Sequence, residues 1–183
     1  MKVAFLDRDG VINEEIGYLH RINHFKYTKK CVDGLKKLTE LGFHIVIITN
    51  QAGIAKGRFT ETQYHKLTDW LINDLKKKSV PILEVKFCPH HKEAIIEKYR
   101  RDCPYRKPGT GMIDQVVKNY DVDVNSSILI GDKQSDINAG LAAGIGSCFL
   151  MKSKQTPVNT PCYDNIYKIS EAIEKSYLQS KVL

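Results

Sequence analysis

The sequence lacks any apolar run long enough to cross a bilayer, because polar or charged residues interrupt every hydrophobic stretch well before the span of about 20 residues that a membrane helix needs. The apolar residues near the N-terminus end at Asp7, which is too early for a secretory signal peptide. We therefore expect a cytoplasmic protein with no membrane partner.

Cysteines are few and odd in number, which argues against a disulfide framework in a chain without a secretory signal. Such cysteines are more often buried thiols or metal ligands. The five are Cys31, Cys88, Cys103, Cys148 and Cys162.

Acidic residues are outnumbered by basic ones, 21 against 28, so the formal net charge is +7 and an anionic partner is expected. Nucleic acid, a membrane surface and a small phosphate ester would all fit that charge. The longest basic runs, 76–78 and 98–101, are short and typical of solvated helix faces. We expect a small-molecule phosphate ester and no nucleic acid.

Short apolar runs alternate with helical patterns, and this alternation predicts an α/β fold with a doubly wound, Rossmann-like parallel sheet. Thr60 and Gln63 form a capping-box pattern at the start of one helix. We predict one domain over residues 1–183, with a loop at 152–161. The predicted strands are 3–6, 44–49, 83–87, 127–130 and 148–151, and the predicted helices are 32–41, one from 60 to about 75, 112–120, 136–143 and one around 169–177.

Two carboxylates, Asp7 and Asp9, directly follow the first predicted strand, with Arg8 between them and Gly10 after them. In extended geometry the two acids would share one side while Arg8 points away. Open α/β sheets bind ligands at this end of their strands, and Mg²⁺ prefers such oxygen ligands. A tight turn is the alternative interpretation, since Asp and Gly are common turn residues.

Three later groups of polar residues also follow a predicted strand or precede a predicted helix. Each has a second interpretation when taken alone: a turn at a strand end, surface charge, and a helix cap, respectively. They are Thr49 with Asn50, Arg106 with Lys107, and Asp132 with Asp136.

As a set, these groups resemble the four motifs of the haloacid dehalogenase (HAD) superfamily of phosphatases over residues 1 to about 150. The resemblance implies that Asp7 is the nucleophile that forms an aspartyl phosphate and that Asp9 is the general acid and base. It implies that Thr49 and Lys107 hold the phosphoryl oxygens. It also implies Mg²⁺ between the carboxylates of Asp7 and Asp132 and the backbone carbonyl of Asp9.

Within the superfamily, the sequence is similar to the D-glycero-D-manno-heptose 1,7-bisphosphate 7-phosphatase and histidinol-phosphate phosphatase group. This resemblance implies Mg-dependent removal of the 7-phosphate in nucleotide-heptose biosynthesis, by an enzyme without a large cap domain. Arg106 would meet the second phosphate. The implied substrate-binding residues are Glu15, Ile16, Gly17, Tyr18, Thr49, Asn50, Gln51, Ala52, Arg106, Lys107 and Lys133.

That group also binds a structural zinc ion in a loop, here residues 88–105, through Cys-x-His and a later Cys-x-Cys. This chain keeps Cys88, His90 and Cys103, but Tyr105 stands at the fourth position. The sequence leaves zinc open, with three alternatives: His91 completes the site, water completes it, or the loop folds without metal.

Other classes remain as alternatives. A receiver-type signalling domain would place its phosphorylated Asp after a later strand, and a nucleic-acid 3′-phosphatase would need an aromatic and basic tract that the chain does not show. Histidinol phosphate or another small sugar phosphate is the alternative substrate. We expect a monomer.

Overall fold

Five parallel strands form the sheet in a computed structural model that describes residues 1–154, 156 and 160–180. They are β1 (Val3–Leu6), β2 (His44–Asn50), β3 (Ile82–Cys88), β4 (Ile128–Gly131) and β5 (Ser147–Leu150). Their order across the sheet is β3-β2-β1-β4-β5. All five were predicted to within one residue at each end.

The helices are α1 (Cys31–Glu40), α2 (Ala52–Ala55), α3 (Glu61–Lys77), α4 (Gly111–Asn119), α5 (Gln134–Ala142) and α6 (Ile166–Ser180), with 3₁₀ turns at Ile22–His24 and Glu97–Tyr99. The capping box before α3 is confirmed: the Gln63 amide donates to the Thr60 hydroxyl at 3.2 Å, and the Thr60 amide donates to the Gln63 side chain at 2.9 Å. No helix in the described ranges is both long and apolar enough to cross a membrane.

One short helix was not predicted, and part of one loop lies outside the described residues. Helix α2 spans only four residues, too few for a helical period to show in the sequence. Of the predicted loop 152–161, residues 155 and 157–159 lie outside the described part of the chain, and the remainder forms no helix or extended strand.

The sheet is covered on both faces, as the doubly wound prediction requires. Val3 and Phe5 of β1 pack in the core that α4 and α5 cover, whereas Ala4 and Leu6 pack in the core with α1, α3 and α6. This alternation follows from the two-residue period of a strand, and it explains why every residue of β1 is buried and apolar.

The connections place a crevice at the C-terminal end of β1. Strand β1 pairs with β2 on one side, where Leu6 lies opposite Ile47, and with β4 on the other, where Leu6 lies opposite Ile130. The strand order reverses direction here, which is where doubly wound sheets bind ligands. Among the described residues, loops border this crevice and no large cap domain is present, as predicted.

Candidate active site

Asp7 and Asp9 lie at the C-terminal end of β1, and both are buried. The Asp7 amide donates to the Ile130 carbonyl of β4 at 2.9 Å, which fixes the start of the turn against the neighbouring strand. Gly10 has φ of +87°, and a Cβ atom at this position would collide with the Asp132 carboxylate. The glycine therefore allows the ends of β1 and β4 to approach each other closely.

Lys107 connects the candidate nucleophile to a second acid. Its buried Nζ lies 2.8 Å from an oxygen of Asp7 and 2.8 Å from an oxygen of Asp136, and it donates to the Ile48 carbonyl at 2.7 Å. Burial alone would lower the pKa of Lys107, but the two carboxylates raise it above its ordinary value. Lys107 is thus held as a cation beside Asp7.

Asn50, at the end of β2, holds the Lys107 backbone from both sides. Its side-chain amide donates to the Lys107 carbonyl at 3.0 Å, and its side-chain oxygen accepts from the Lys107 amide at 3.1 Å. Two hydrogen bonds to one residue restrain both its position and its orientation.

Three acids form what we call the carboxylate cluster: one carboxylate oxygen from each of Asp7, Asp132 and Asp136 lies within 4.8 Å of the others. One oxygen of Asp132 is buried without a hydrogen bond among the described residues; Lys133 Nζ lies 3.9 Å from it, too far for one. Burial and the neighbouring Asp7 charge raise the pKa of Asp132 to about 7. Burial likewise raises the pKa of Asp7 to about 6, against the opposing effect of Lys107.

Asp136 serves both as a helix cap and as a member of this cluster. One of its oxygens accepts from the Lys133 amide at 3.0 Å at the start of α5, and the other pairs with Lys107. The sequence indicated that one of the two acids after β4 caps the helix, and that one is Asp136. From the sequence, Asp136 was placed in the same motif as Asp132 but was assigned no role of its own in the site.

The Asp9 carboxylate lies outside the carboxylate cluster and is held by three side chains. Arg8 contacts it at 2.9 Å, Asn13 at 2.9 Å and Gln51 at 2.8 Å. The prediction that Arg8 points away was wrong, since β1 ends at Leu6 and the alternation of an extended strand does not continue through the turn. Asn13 and Arg8 therefore join the site without having been predicted there.

Most of the predicted substrate-binding residues do line the cleft above Asp7, with Ile16, Thr49 and Arg106 as exceptions. Ile16 is exposed, and Thr49 is buried with its hydroxyl accepting from Gln51 at 2.9 Å. Arg106 instead donates to the His90 carbonyl at 3.2 Å. The predicted residues that line the cleft are Glu15, Gly17, Tyr18, Asn50, Gln51, Ala52, Lys107 and Lys133.

A second group, the thiol cluster, consists of Cys88, His90 and Cys103. One donor atom from each lies within 4.8 Å of the others, and Cys88 Sγ is 3.8 Å from His90 Nδ1. Cys88 ends β3, whereas the other two lie on the loop that follows. Two thiols and an imidazole are donors that suit zinc.

Comparison of the sequence with known proteins places this chain in a family. Residues 2–170 match the family model described as polynucleotide kinase 3 phosphatase. The chain is 53% identical, over 95% of its length and 97% of the relative's, to a D-glycero-alpha-D-manno-heptose-1,7-bisphosphate 7-phosphatase of Photorhabdus laumondii. It is 40% identical, over 83% of this chain and 82% of the relative, to the corresponding beta-named enzyme of Haemophilus influenzae.

Solved structures agree with the fold. A putative HAD-like phosphatase from Mesorhizobium loti superimposes with a TM-score of 0.81 at 26% identity, covering 96% of this chain and 87% of that one. A D,D-heptose 1,7-bisphosphate phosphatase from B. bronchiseptica, complexed with magnesium and phosphate, has a TM-score of 0.80 at 22% identity, covering 96% and 99%. The chain is therefore a phosphatase of the HAD superfamily and belongs to the family of the D-glycero-D-manno-heptose-1,7-bisphosphate 7-phosphatases.

Proposed function

We propose that this phosphatase removes the 7-phosphate of D-glycero-D-manno-heptose 1,7-bisphosphate in nucleotide-heptose biosynthesis. The observation that carries the chemistry is the carboxylate cluster with Lys107 bound to Asp7 at 2.8 Å. The substrate follows from the relatives, which are named for this sugar at 53% and 40% identity.

Asp7 is the proposed nucleophile. Its carboxylate attacks phosphorus, the bond between phosphorus and the sugar oxygen breaks, and an aspartyl phosphate forms. Water then attacks the same phosphorus atom, which releases inorganic phosphate and restores Asp7. The contact with Lys107 orients the attacking carboxylate before substrate arrives.

Asp9 is the proposed general acid and base. It gives a proton to the departing sugar oxygen and later takes one from the attacking water, so that the proton balance closes over the two steps. The contacts from Arg8, Asn13 and Gln51 hold its carboxylate in one orientation at the cleft.

The donor set fits Mg²⁺. The Asp132 oxygen without a hydrogen bond, and the raised pKa values of Asp7 and Asp132, are what a site built for a divalent cation shows when its charges are uncompensated. Asp7, Asp132 and the Asp9 carbonyl are the proposed ligands. When bound, Mg²⁺ would offset the negative charge of the phosphate and the acids. Lys107, which lines the cleft, would hold a phosphoryl oxygen where charge builds.

Of the two anomers we propose the alpha form. The relative named for the alpha anomer is 53% identical to this chain over 95% of it, whereas a relative named for the beta anomer is 40% identical over 83%. The anomers differ only at the carbon that carries the second phosphate, so the discrimination would come from residues at the rim of the cleft.

The testing experiment is a panel of phosphate esters assayed with Mg²⁺: both anomers of the heptose bisphosphate, histidinol phosphate, and a single-stranded oligonucleotide with a 3′-phosphate. We expect kcat/KM to be at least about 100-fold higher for the alpha anomer than for the last two. A higher value for the oligonucleotide would favour the activity that the matching family model is named for, and would overturn our substrate proposal.

We also propose Zn²⁺ at the thiol cluster as a structural metal for the loop after β3. The support is the donor chemistry of Cys88, His90 and Cys103 and their mutual distances. Elemental analysis of protein purified without chelator tests this, since less than about a tenth of an equivalent of zinc would contradict it.

A further inference from the structure

The thiol cluster has three protein donors, so the source of a fourth ligand decides what kind of metal site it is. Structural zinc sites nearly always have four protein ligands, whereas sites with three keep a position for a ligand from solution. Two neighbouring side chains, His91 and Tyr105, are close enough in sequence to be considered as the fourth.

His91 is engaged elsewhere. Its ring Nδ1 accepts a hydrogen bond from the Glu93 amide at 3.1 Å, and its backbone amide donates to the Tyr99 carbonyl at 3.1 Å. These bonds hold its ring within its own turn. The group of metal-ligand atoms found within 4.8 Å of one another in the described chain does not include His91.

Tyr105 stands beside the cluster, but its side chain is a poor replacement for a thiolate. The residue is 40% exposed, and a phenol is not among the usual zinc ligands, which are thiolate, imidazole and carboxylate. Tyr105 therefore marks the fourth position without supplying a donor suited to it.

A cavity of about 420 Å³ opens directly onto the three donors. Its wall includes all three donor residues together with Tyr105, Arg101 and Gln115. Zn²⁺ with two thiolates and one neutral imidazole carries no net charge, so a thiolate that also carries a carboxylate would add two negative charges. Two cations line the cavity: Lys86 pairs with Glu84 at 2.5 Å, whereas the Arg101 guanidinium can bind the carboxylate in two-pronged fashion and offset its charge.

We propose that the metal held by Cys88, His90 and Cys103 keeps its fourth position open to this cavity, where it binds a small thiolate that carries a carboxylate. The thiol loses its proton to solvent as sulfur binds the metal, and the carboxylate pairs with Arg101. This inference rests on the proposed zinc site, and it makes that site a binding site for a small molecule as well as a loop support.

Cobalt(II) tests the proposal in the whole protein, because its visible absorption reports the ligands around it. We would load Co²⁺ in the presence of excess Mg²⁺, with Cys103→Ser as the control for binding at the thiol cluster, and then titrate mercaptoacetate and 2-mercaptoethanol, which lacks the carboxylate. The matched variants are Tyr105→Cys, which supplies a fourth protein thiolate, and Arg101→Gln.

We expect the cobalt spectrum of the wild type to change on adding mercaptoacetate, with an affinity at least about 5-fold tighter than for 2-mercaptoethanol. Tyr105→Cys should show the spectrum of four protein ligands, three of them thiolates, before any thiol is added, and this spectrum should not change during the titration. Arg101→Gln should lose the preference for mercaptoacetate. If the wild-type protein binds Co²⁺ but its spectrum changes with neither thiol, the proposal of an open position is overturned. Failure to bind Co²⁺ at all overturns the zinc proposal itself.

Discussion

The carboxylate cluster and the thiol cluster differ in how the fold supports them. The first stands at the ends of β1 and β4, central strands of the sheet, and Lys107 is fixed between its acids by Asn50. The second has one member at the end of β3, an edge strand, and two on a loop. The acids that follow β1 and β4 are thus held by the sheet, whereas two of the three donors of the thiol cluster depend on a loop.

The largest expected effect is a loss of activity on changing the carboxylate cluster, which would distinguish it from the thiol cluster. Asp7→Asn removes the proposed nucleophile with little change in shape, so we expect kcat to fall at least about 10⁴-fold. Asp33→Asn, an exposed acid on α1, is the matched control and should retain full activity. Residual turnover of more than about a tenth in Asp7→Asn would mean that another residue attacks phosphorus.

Lys107→Met removes the cation between two acids of the carboxylate cluster. We expect a loss of about 10²- to 10³-fold in kcat, because Asp7 loses its orientation and the phosphoryl oxygens lose a charged donor. The steady-state rate and the thermal unfolding midpoint should be measured together. A protein that remains folded and loses less than about 5-fold would show that Lys107 is structural only.

Asn50→Ala tests whether the position of Lys107 matters as well as its charge. We expect kcat to fall about 10- to 100-fold while KM changes little, since Asn50 contacts the backbone of Lys107. Asn138→Ala, an exposed amide on α5, should be neutral. A change confined to KM would instead make Asn50 a substrate ligand, as the sequence analysis expected.

Asp132→Asn should stabilise the protein when a chelator removes metal, although it destroys activity. The pKa of Asp132 is raised from 3.8 to about 7, so the folded state binds more protons than the unfolded state in that window. The contribution of the protonated Asp132 to the stability of the wild type is therefore lost as the pH rises from 3.8 to about 7. Above about pH 7 the free energy of unfolding of the variant should exceed that of the wild type by on the order of 1–2 kcal/mol, and near pH 3 the two should be equal.

Urea unfolding at both pH values, with chelator and then with Mg²⁺, measures this. Mg²⁺ should stabilise the wild type and leave the variant unchanged, because the metal binds only the folded state. Equal stability of both metal-free proteins at high pH would argue that ionisation of Asp132 does not destabilise the fold.

The smallest expected effect is on the thiol cluster. Cys103→Ser should abolish zinc binding while kcat changes less than about 3-fold, since Lys107, although it lies on the same loop, is fixed separately by Asn50 and Asp7. Cys148→Ser, away from the cluster, should keep its zinc. A loss of activity as large as that of Asn50→Ala would show that the loop supports the cleft.

The strands and the acids that follow them were predictable because both depend on local pattern. A buried parallel strand is a continuous apolar run, and the residue after it lies at the ligand edge of the sheet, so Asp7 and Asp132 could be placed there from order, whereas their roles came from the resemblance to HAD phosphatases. The capping box at Thr60 is local in the same sense. Relatives then support the substrate, which the pattern by itself does not specify.

Contacts between side chains distant in sequence were not predictable in the same way. Asn50 holding the Lys107 backbone joins residues 57 apart, and no period in the sequence signals it. Arg8 turning onto Asp9 depends on where β1 stops, which a single residue decides. The single-domain, monomer and cytoplasmic expectations stay predictions, as does the absence of a nucleic-acid partner.

The most direct test of the account traps the phosphoryl group during turnover. Borohydride reduces an aspartyl phosphate and marks the residue that carried it, and peptide mass spectrometry then identifies the position. We predict a mark at Asp7, in the presence of Mg²⁺ and heptose bisphosphate, and none when a chelator replaces Mg²⁺. A mark at another acid, or an equal mark without Mg²⁺, would contradict it.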